Sequence, residues 1–470
     1  MSVQEAPVLA DDQVFGPFIQ LVTKDTLVLA LTVAVVLGTM NWLFSRFGKE
    51  TSPLVRIYHH ANSLDVVLHN STDTENGDKI SDPTSCVSSS SSSTRKAIPE
   101  GPPCVTTLQH VLKQYCPTLT DPEKAVFRPS RWLFNGHLQT AAVTRMAFRT
   151  GYEVDYHREL VPLPDGGSVA LDWYPSTDDV PNGQESRQPI VLIMHGLTGG
   201  SHEFYVRALI KKLMADPQLS YRTVVMNNRG CGFSELLTPQ LYSAGYTDDL
   251  RHVVRQIHSR YPHAPLVGVG FSLGSNILVK YIGEEGDQCK FAGAVSVGNP
   301  FNLLQTSDTL HDEGIMGPLV YTRVMRGNLV RALMRHKHVF MGAGMDLDTV
   351  NKSRTVREFD ELVTRRMFGY DTVKDYYVNA SCAPYVSKVR VPLLCLQSED
   401  DPICSAKSIP YEDCLNNPFI VLATTAHGGH LGWLEAGSQG NQVKPWTPEP
   451  IAEYISAILH IDHCLPQAKS

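Results

Sequence analysis

Residues 267–276 read VGVGFSLGSN. An apolar, β-branched run leads into Ser272, with Gly270 and Gly274 two positions either side of it. The pattern G-x-S-x-G fits an ordinary tight turn that leaves a buried strand. It also fits a nucleophile elbow, a strained strand-to-helix turn that holds a serine oxygen out toward a ligand. The motif alone does not choose between them. A working serine needs a base, an acid to orient that base, and donors for an oxyanion, so the rest of the chain decides.

Around this stretch the chain alternates strand and helix patterns. PIVLIMHG (189–196), TVVMNNRG (223–230), PLVGVGFS (265–272), GAVSVGNP (293–300), PLLCLQSEDD (392–401) and FIVLATTAHGG (419–429) are short and nearly continuously apolar, and they end in Gly, Asn, Asp or Ser. Such runs read as parallel strands buried on both faces. Between two of them, Leu250, Val253, Val254 and Ile257 recur at helical spacing. The expectation is an α/β fold with a mostly parallel central sheet and helices on both faces, where ligands bind beyond the carboxyl ends of the strands. From about 301 to 390 no buried strand is apparent, and helical patterns rich in Arg suggest a lid inserted over that edge. Those arginines read equally as a solvated face or as contacts for phosphate headgroups.

The chemistry-bearing residues fall at strand ends. Downstream of Ser272, one run closes on Asp400, Asp401 and Pro402, and the next leads into HGGHLGW with His427 and His430. Serine, then acid, then histidine is the chain order of the α/β-hydrolase triad. Which Asp and which His take part stays open on spacing alone. The backbone N–H after the nucleophile, that of Leu273, is one oxyanion donor. The loop HGLTGG supplies the second, assigned to Leu197 with Thr198 as the near alternative. His195 reads as structural.

Composition narrows the remaining classes. A net charge of -7 argues against a nucleic-acid partner, because phosphate backbones reward clustered Lys and Arg. The 10 cysteines form no C-x-x-C pair and no zinc-ligand spacing, so neither a metal nor a cofactor is expected. Most of them read as reduced, buried residues. TLVLALTVAVVLGTMNWLFS (26–45) carries no charge and is long enough to cross a hydrocarbon core of ~30 Å. It is read as a single membrane anchor after a tail at 1–25. Arg46, Lys49 and Arg56 follow the run while Lys24 alone precedes it, which favours a cytosolic body. Sequons at Asn70, Asn351 and Asn379 would matter only in a lumen. A polar stretch containing SCVSSSSSSTRK (85–96) leads to the expectation of a disordered tether over 46–102, with the folded domain at 103–470. Neither oligomeric state nor organelle can be read from the sequence.

With these residues in view, the chain resembles one branch of the α/β-hydrolase superfamily. That branch holds plant embryogenesis-associated hydrolases, a bacterial hydrolase, yeast ethyl-ester synthases and mammalian membrane-anchored abhydrolase-domain lipid hydrolases. RPSRWLFNGHLQT (128–140), LPDGGSVALDW (163–173), HGLTGGSHEFYVR (195–207), NNRGCGFSE (227–235), GFSLGSNILVKYIGEEG (270–286), REFDELVTRRMFGY (357–370) and GGHLGWLE (428–435) carry the resemblance, which spans about 105–460. It implies that Asp401 is the acid and His430 the base. It also implies acyl-ester substrates, with hydrolysis or transfer to alcohols as the reaction.

The resulting expectation is a membrane-anchored serine hydrolase that cleaves acyl lipid esters through Ser272, His430 and Asp401. One alternative is an acyltransferase that uses an alcohol acceptor. HANSLD (His60–Asp65) matches an H-x4-D acyltransferase pattern, although it lies outside the strand-end constellation. The other is a membrane protein that keeps the fold for binding alone.

Overall fold

The protein is described by a computed structural model over residues 52–68, 105–146, 151–175, 187–215, 221–437 and 442–464. In chain order the strands that matter are β1 (Arg56–His59), β2 (Asp65–Leu68), β3 (Val105–Thr107), β4 (His157–Pro162), β5 (Ser168–Tyr174), β6 (Ile190–Met194), β7 (Arg222–Asn227), β8 (Leu266–Phe271), β9 (Gly293–Val297), β10 (Leu393–Ser398) and β11 (Ile420–Thr425). Nine of them form one sheet in the order β1-β11-β10-β9-β8-β6-β7-β5-β4. The six strands anticipated from apolar runs, β6 to β11, are the parallel ones. β4, β5 and β1 add antiparallel edges.

Side-chain alternation splits each parallel strand between two cores. Val191, Ile193, Val267, Val269, Leu394 and Leu396 face one core with α2 (Phe204–Met214) and α7 (Pro448–Leu459). Leu192, Met194, Leu266, Leu393 and Leu422 face the other, against α3 (Asp248–Arg260) and α4 (Leu273–Glu285). Leu250, Val253, Val254 and Ile257 are the buried stripe of α3, as their spacing predicts. Between β9 and β10 the chain forms helices only, including α5 (Leu303–Asp312) and α6 (Thr322–Arg335). These helices have a small core of their own around Leu329, Leu333, Phe340 and Phe359. An earlier helix, α1 (Gly136–Met146), also reaches the carboxyl edge of the sheet.

The tether expected over 46–102 requires correction. Residues 52–68 are folded onto the body: β1 extends the main sheet along β11, and β2 pairs with β3 and with Ile461–Cys464. A four-residue strand is too short to show periodicity, and its order comes from an open sheet edge far away in sequence. The Ser-rich stretch therefore lies between paired strands, because Val67 stands opposite Val105. The apolar run at 26–45 lies outside the described residues. Among those described, no helix is long and apolar enough to cross a membrane.

Because β2 and β3 are antiparallel neighbours, a hairpin turn can join them. Replacing 69–104 with a loop roughly ninefold shorter should leave folding cooperative and add up to about 2 kcal/mol of stability through reduced loop-closure entropy. Thermal unfolding followed by circular dichroism checks this, and loss of the cooperative transition would contradict the register.

Candidate active site

Ser272 is the hinge between β8 and α4, with φ 53° and ψ -119°. A non-glycine residue there costs about 1–3 kcal/mol of backbone strain and persists only if its surroundings enforce it. The enforcement comes from close backbone approach. A Cβ on Gly270 would lie 2.6 Å from Ser275 Cα, and one on Gly274 would lie 2.6 Å from the carbonyl oxygens of Met194 and His195. Only glycine permits helix and strands to close this tightly. Ser272 N–H donates to Val297 O at 2.9 Å, and the Ser275 hydroxyl donates to Gly270 O at 2.6 Å, which pins both sides of the turn.

The three side chains singled out from strand ends meet at this point. Ser272 Oγ lies 2.8 Å from His430 Nε2, and His430 Nδ1 lies 2.8 Å from Asp401 Oδ2. Asp401 is buried, and its other oxygen accepts the Ile403 and Cys404 backbone N–H groups, each at 2.8 Å. These bonds fix the carboxylate's orientation. With Asp401 accepting from Nδ1, Nε2 is left to accept the serine proton.

The two residues that spacing could not separate from these have a distinct place. Asp400 Oδ2 accepts from His427 Nδ1 at 3.0 Å, and Asp400 Oδ1 accepts from Gly429 N–H at 2.9 Å and from the Ser398 hydroxyl at 2.7 Å. Asp400 and His427 therefore hold the loop that carries His430, without touching Ser272. His195 is also structural: Nδ1 donates to Gly196 O at 2.7 Å, and Nε2 accepts from Asn228 N–H at 3.2 Å. Burial pushes its pKa down to about 4, so it stays neutral.

Sequence reasoning missed the supports from α1. Thr140 Oγ1 accepts the His430 backbone N–H at 2.8 Å and donates to Gly136 O at 2.7 Å. Gln139 binds both backbone groups of Leu434 through its side-chain amide. A Cβ on Gly429 (φ 59°) would sit 2.3 Å from Gly136 O. NGHLQT and GGHLGW, the two most distinctive stretches, are thus one contact. The resemblance flagged both stretches but gave α1 no role.

Leu273 is the first residue of α4, so its N–H has no carbonyl one turn back and points from the positive end of the helix. Across the site, Thr198 N–H donates to the Tyr242 hydroxyl at 2.6 Å, so that group is already engaged. Two cavities share Ser272. One of about 290 Å³ is bounded by Thr140, Leu197, Tyr205, Tyr321 and His430. The other, about 100 Å³, is lined mainly by apolar residues of α5, α6 and the following helices, including Leu303, Leu310 and Leu329. Asp360 also lines this second cavity. It is buried, its carboxyl accepts the Tyr377 and Thr364 hydroxyls, and burial pushes its pKa up to about 6.

Asp401, Cys404 and His430 bring potential metal-ligand atoms within 4.8 Å of one another. Both ring nitrogens of His430 are already hydrogen bonded, and Cys404 Sγ donates to Gly298 O at 3.3 Å. Burial holds that thiol far above its ordinary range, against the thiolate that a soft metal requires. The donor set suits proton transfer better than metal binding. The H-x4-D stretch lies elsewhere. His59 stands opposite Val421 at the start of β11, so His60–Asp65 follows from the amino edge of the sheet, opposite Ser272.

The family described as alpha/beta hydrolase fold matches residues 189–432. Embryogenesis-associated protein EMB8 of Picea glauca is 37% identical over 71% of this chain and 72% of its own length. Phospholipase ABHD3 of Homo sapiens is 35% identical over 69% of this chain and 76% of its own. A monoacylglycerol lipase of Saccharomyces cerevisiae is 33% identical over 69% of this chain and 78% of its own. With its sheet order, its elbow serine and these relatives, the chain belongs to the α/β-hydrolase family, in the branch that holds these three proteins.

Proposed function

We propose that the protein is a membrane-anchored serine hydrolase that cleaves acyl lipid esters. The observation that carries this reading is the unbroken relay from Ser272 Oγ through His430 to buried Asp401, set at a strained turn between two cavities. Ser272 Oγ attacks the ester carbonyl as His430 Nε2 takes its proton. Asp401 holds the imidazole and stabilises its positive charge. The Leu273 and Leu197 N–H groups stabilise the oxyanion, each such donor being worth about 10²–10³ in rate. Tyr242 already occupies the Thr198 N–H, which favours Leu197 as the second donor. His430 then returns its proton to the leaving alkoxide, and water, activated by the same imidazole, releases the acid from Ser272. An alcohol in place of water would yield a new ester from the same acyl-enzyme. A relative named medium-chain fatty acid ethyl ester synthase/esterase 2, of Saccharomyces cerevisiae, carries both activities in its name and is 29% identical over 73% of this chain and 88% of its own.

The proposed anchor is the uncharged run at 26–45, with the body cytosolic by the excess of basic residues after it. The lid bears on the substrate class. Arg331 and Arg335, one helical turn apart on α6, line a polar cavity of about 200 Å³ that shares Leu197, Thr198, Glu203 and Asn328 with the larger cavity beside Ser272. Among the described residues no carboxylate forms an ion pair with either arginine. Like charges at this spacing are mutually destabilising, an arrangement that a bound anion relieves. Glu203, between the cavities, is pushed up to about 7 by burial, so its carboxylate charge is only partial at neutral pH. A phosphate-bearing acyl lipid suits this wall better than a neutral one.

Two experiments test these assignments. On a soluble ester, Ser272→Ala should lower kcat by at least about a thousandfold and Asp401→Asn by about 10³–10⁴. Asp400→Asn should cost far less, and the opposite order of the two aspartates would overturn the assignment. Arg331→Gln combined with Arg335→Gln should reduce kcat/KM for a lysophospholipid about ten- to a hundredfold while sparing a monoacylglycerol. An equal loss on both substrates would remove the phosphate reading.

A further inference from the structure

The position of β1 decides where the proposed anchor meets the body. β1 runs antiparallel to β11, with Arg56 opposite Thr424 and His59 opposite Val421. Its first residue therefore lies at the edge where the parallel strands end, the edge that carries Ser272, Asp401 and His430. Arg56 Nη1 binds the Glu399 carboxylate at 2.8 Å, and Glu399 is two residues from Asp401. Before it, Val55 N–H donates to Ala125 O at 2.9 Å, and Leu54 bridges Val126. Residues 46–55 alone separate the apolar run from Arg56. Even fully extended they reach only about 35 Å.

The same edge carries unpartnered apolar side chains. Leu319 N–H donates to Ile315 O at 3.2 Å, so these two residues stand one helical turn apart, with Ile315 62% and Leu319 52% exposed. Val324, 44% exposed, follows in the next helical turns of the lid and lines the 290 Å³ cavity. Tyr321 ties this segment to α1: its ring stacks on His137 with centroids 5.8 Å apart, and its hydroxyl meets His137 Nδ1 at 2.7 Å. Just ahead of α1 is Trp132, 79% exposed. The neighbouring Arg131 and Arg323 are exposed, as is Arg145 at the cavity mouth. Aromatic and aliphatic side chains interleaved with basic ones are the composition of a surface that sits in a lipid headgroup layer.

We infer that the body lies with its catalytic edge against the bilayer that holds its own apolar run, with Ile315, Leu319 and Trp132 dipping into the headgroup layer around the cavity mouth. This rests on the reading of 26–45 as a membrane span. An acyl lipid then passes from leaflet to Ser272 along the lid, without crossing water. The occupant is a lipid surface and not a second copy of the chain, because β1 begins on this face and only the ten residues 46–55 separate it from the apolar run.

The test uses the full chain in phosphatidylcholine vesicles. Ile315→Asp combined with Leu319→Asp should lower hydrolysis of a vesicle-borne acyl lipid at least tenfold and leave a water-soluble short-chain ester within twofold. Leu160→Asp, an equally exposed position on β4 at the opposite end of the sheet, should change neither rate. Equal loss on both esters, or no loss on vesicles, overturns the inference. If the wild type cleaves neither ester, the hydrolase reading fails instead, and docking is read from fluorescence. Brominated acyl chains should quench the emission that Trp132→Phe removes, and absence of that quenching overturns the inference. A chain washed off vesicles by alkaline carbonate removes the span, and the inference with it.

Discussion

The site depends on how closely backbones pass one another around Ser272. Gly270 and Gly274 let β8, α4 and the loop after β6 approach to distances that no side chain would allow. That approach forces Ser272 into a left-handed conformation and turns its hydroxyl outward. It also brings the first N–H of α4 opposite the loop that holds Leu197. The strain is a local cost of about 1–3 kcal/mol, set against two buried cores that would have to open for the turn to relax.

A second close approach serves the histidine. Gly136 O, Gly429 and the Asp400 backbone converge so tightly that a Cβ on Gly136 would fall 1.9 Å from Asp400 O. Thr140 and Asp400 then take the backbone N–H groups of His430 and Gly429. The imidazole is thus positioned by its own loop, by α1 and by the acid loop together. The adjacent Asp400 and Asp401 divide the work: one fixes the loop and the other faces the ring.

Much of this was legible in the sequence because it is local. Parallel strands buried on both faces leave continuous apolar runs, and all six of those runs are strands. The serine turn shows as glycines at fixed offsets. Choosing between Asp400 and Asp401, or between His427 and His430, was not local: a shift of one residue changes which way a side chain points, and only the resemblance separated them. β1 was not legible at all. RIYH has no periodicity to read, and its contact through Arg56 lies 343 residues away at Glu399, so nothing local distinguishes the segment from a tether. The role of Thr140 was hidden for the same reason, since a threonine in a helix announces nothing until its partner is known. The lid arginines fall between these cases. The Arg-rich helical pattern was visible, but that no carboxylate among the described residues pairs with Arg331 or Arg335 emerges only in three dimensions.

Covalent capture reads out whether Ser272 Oγ is the nucleophile. The full chain is incubated with a fluorophosphonate, digested, and its peptides are weighed by mass spectrometry. One phosphonyl adduct is expected, on Ser272, abolished in Ser272→Ala and strongly slowed in His430→Ala. An adduct on another residue, or equal labelling of wild type and Ser272→Ala, would contradict Ser272 Oγ as the nucleophile.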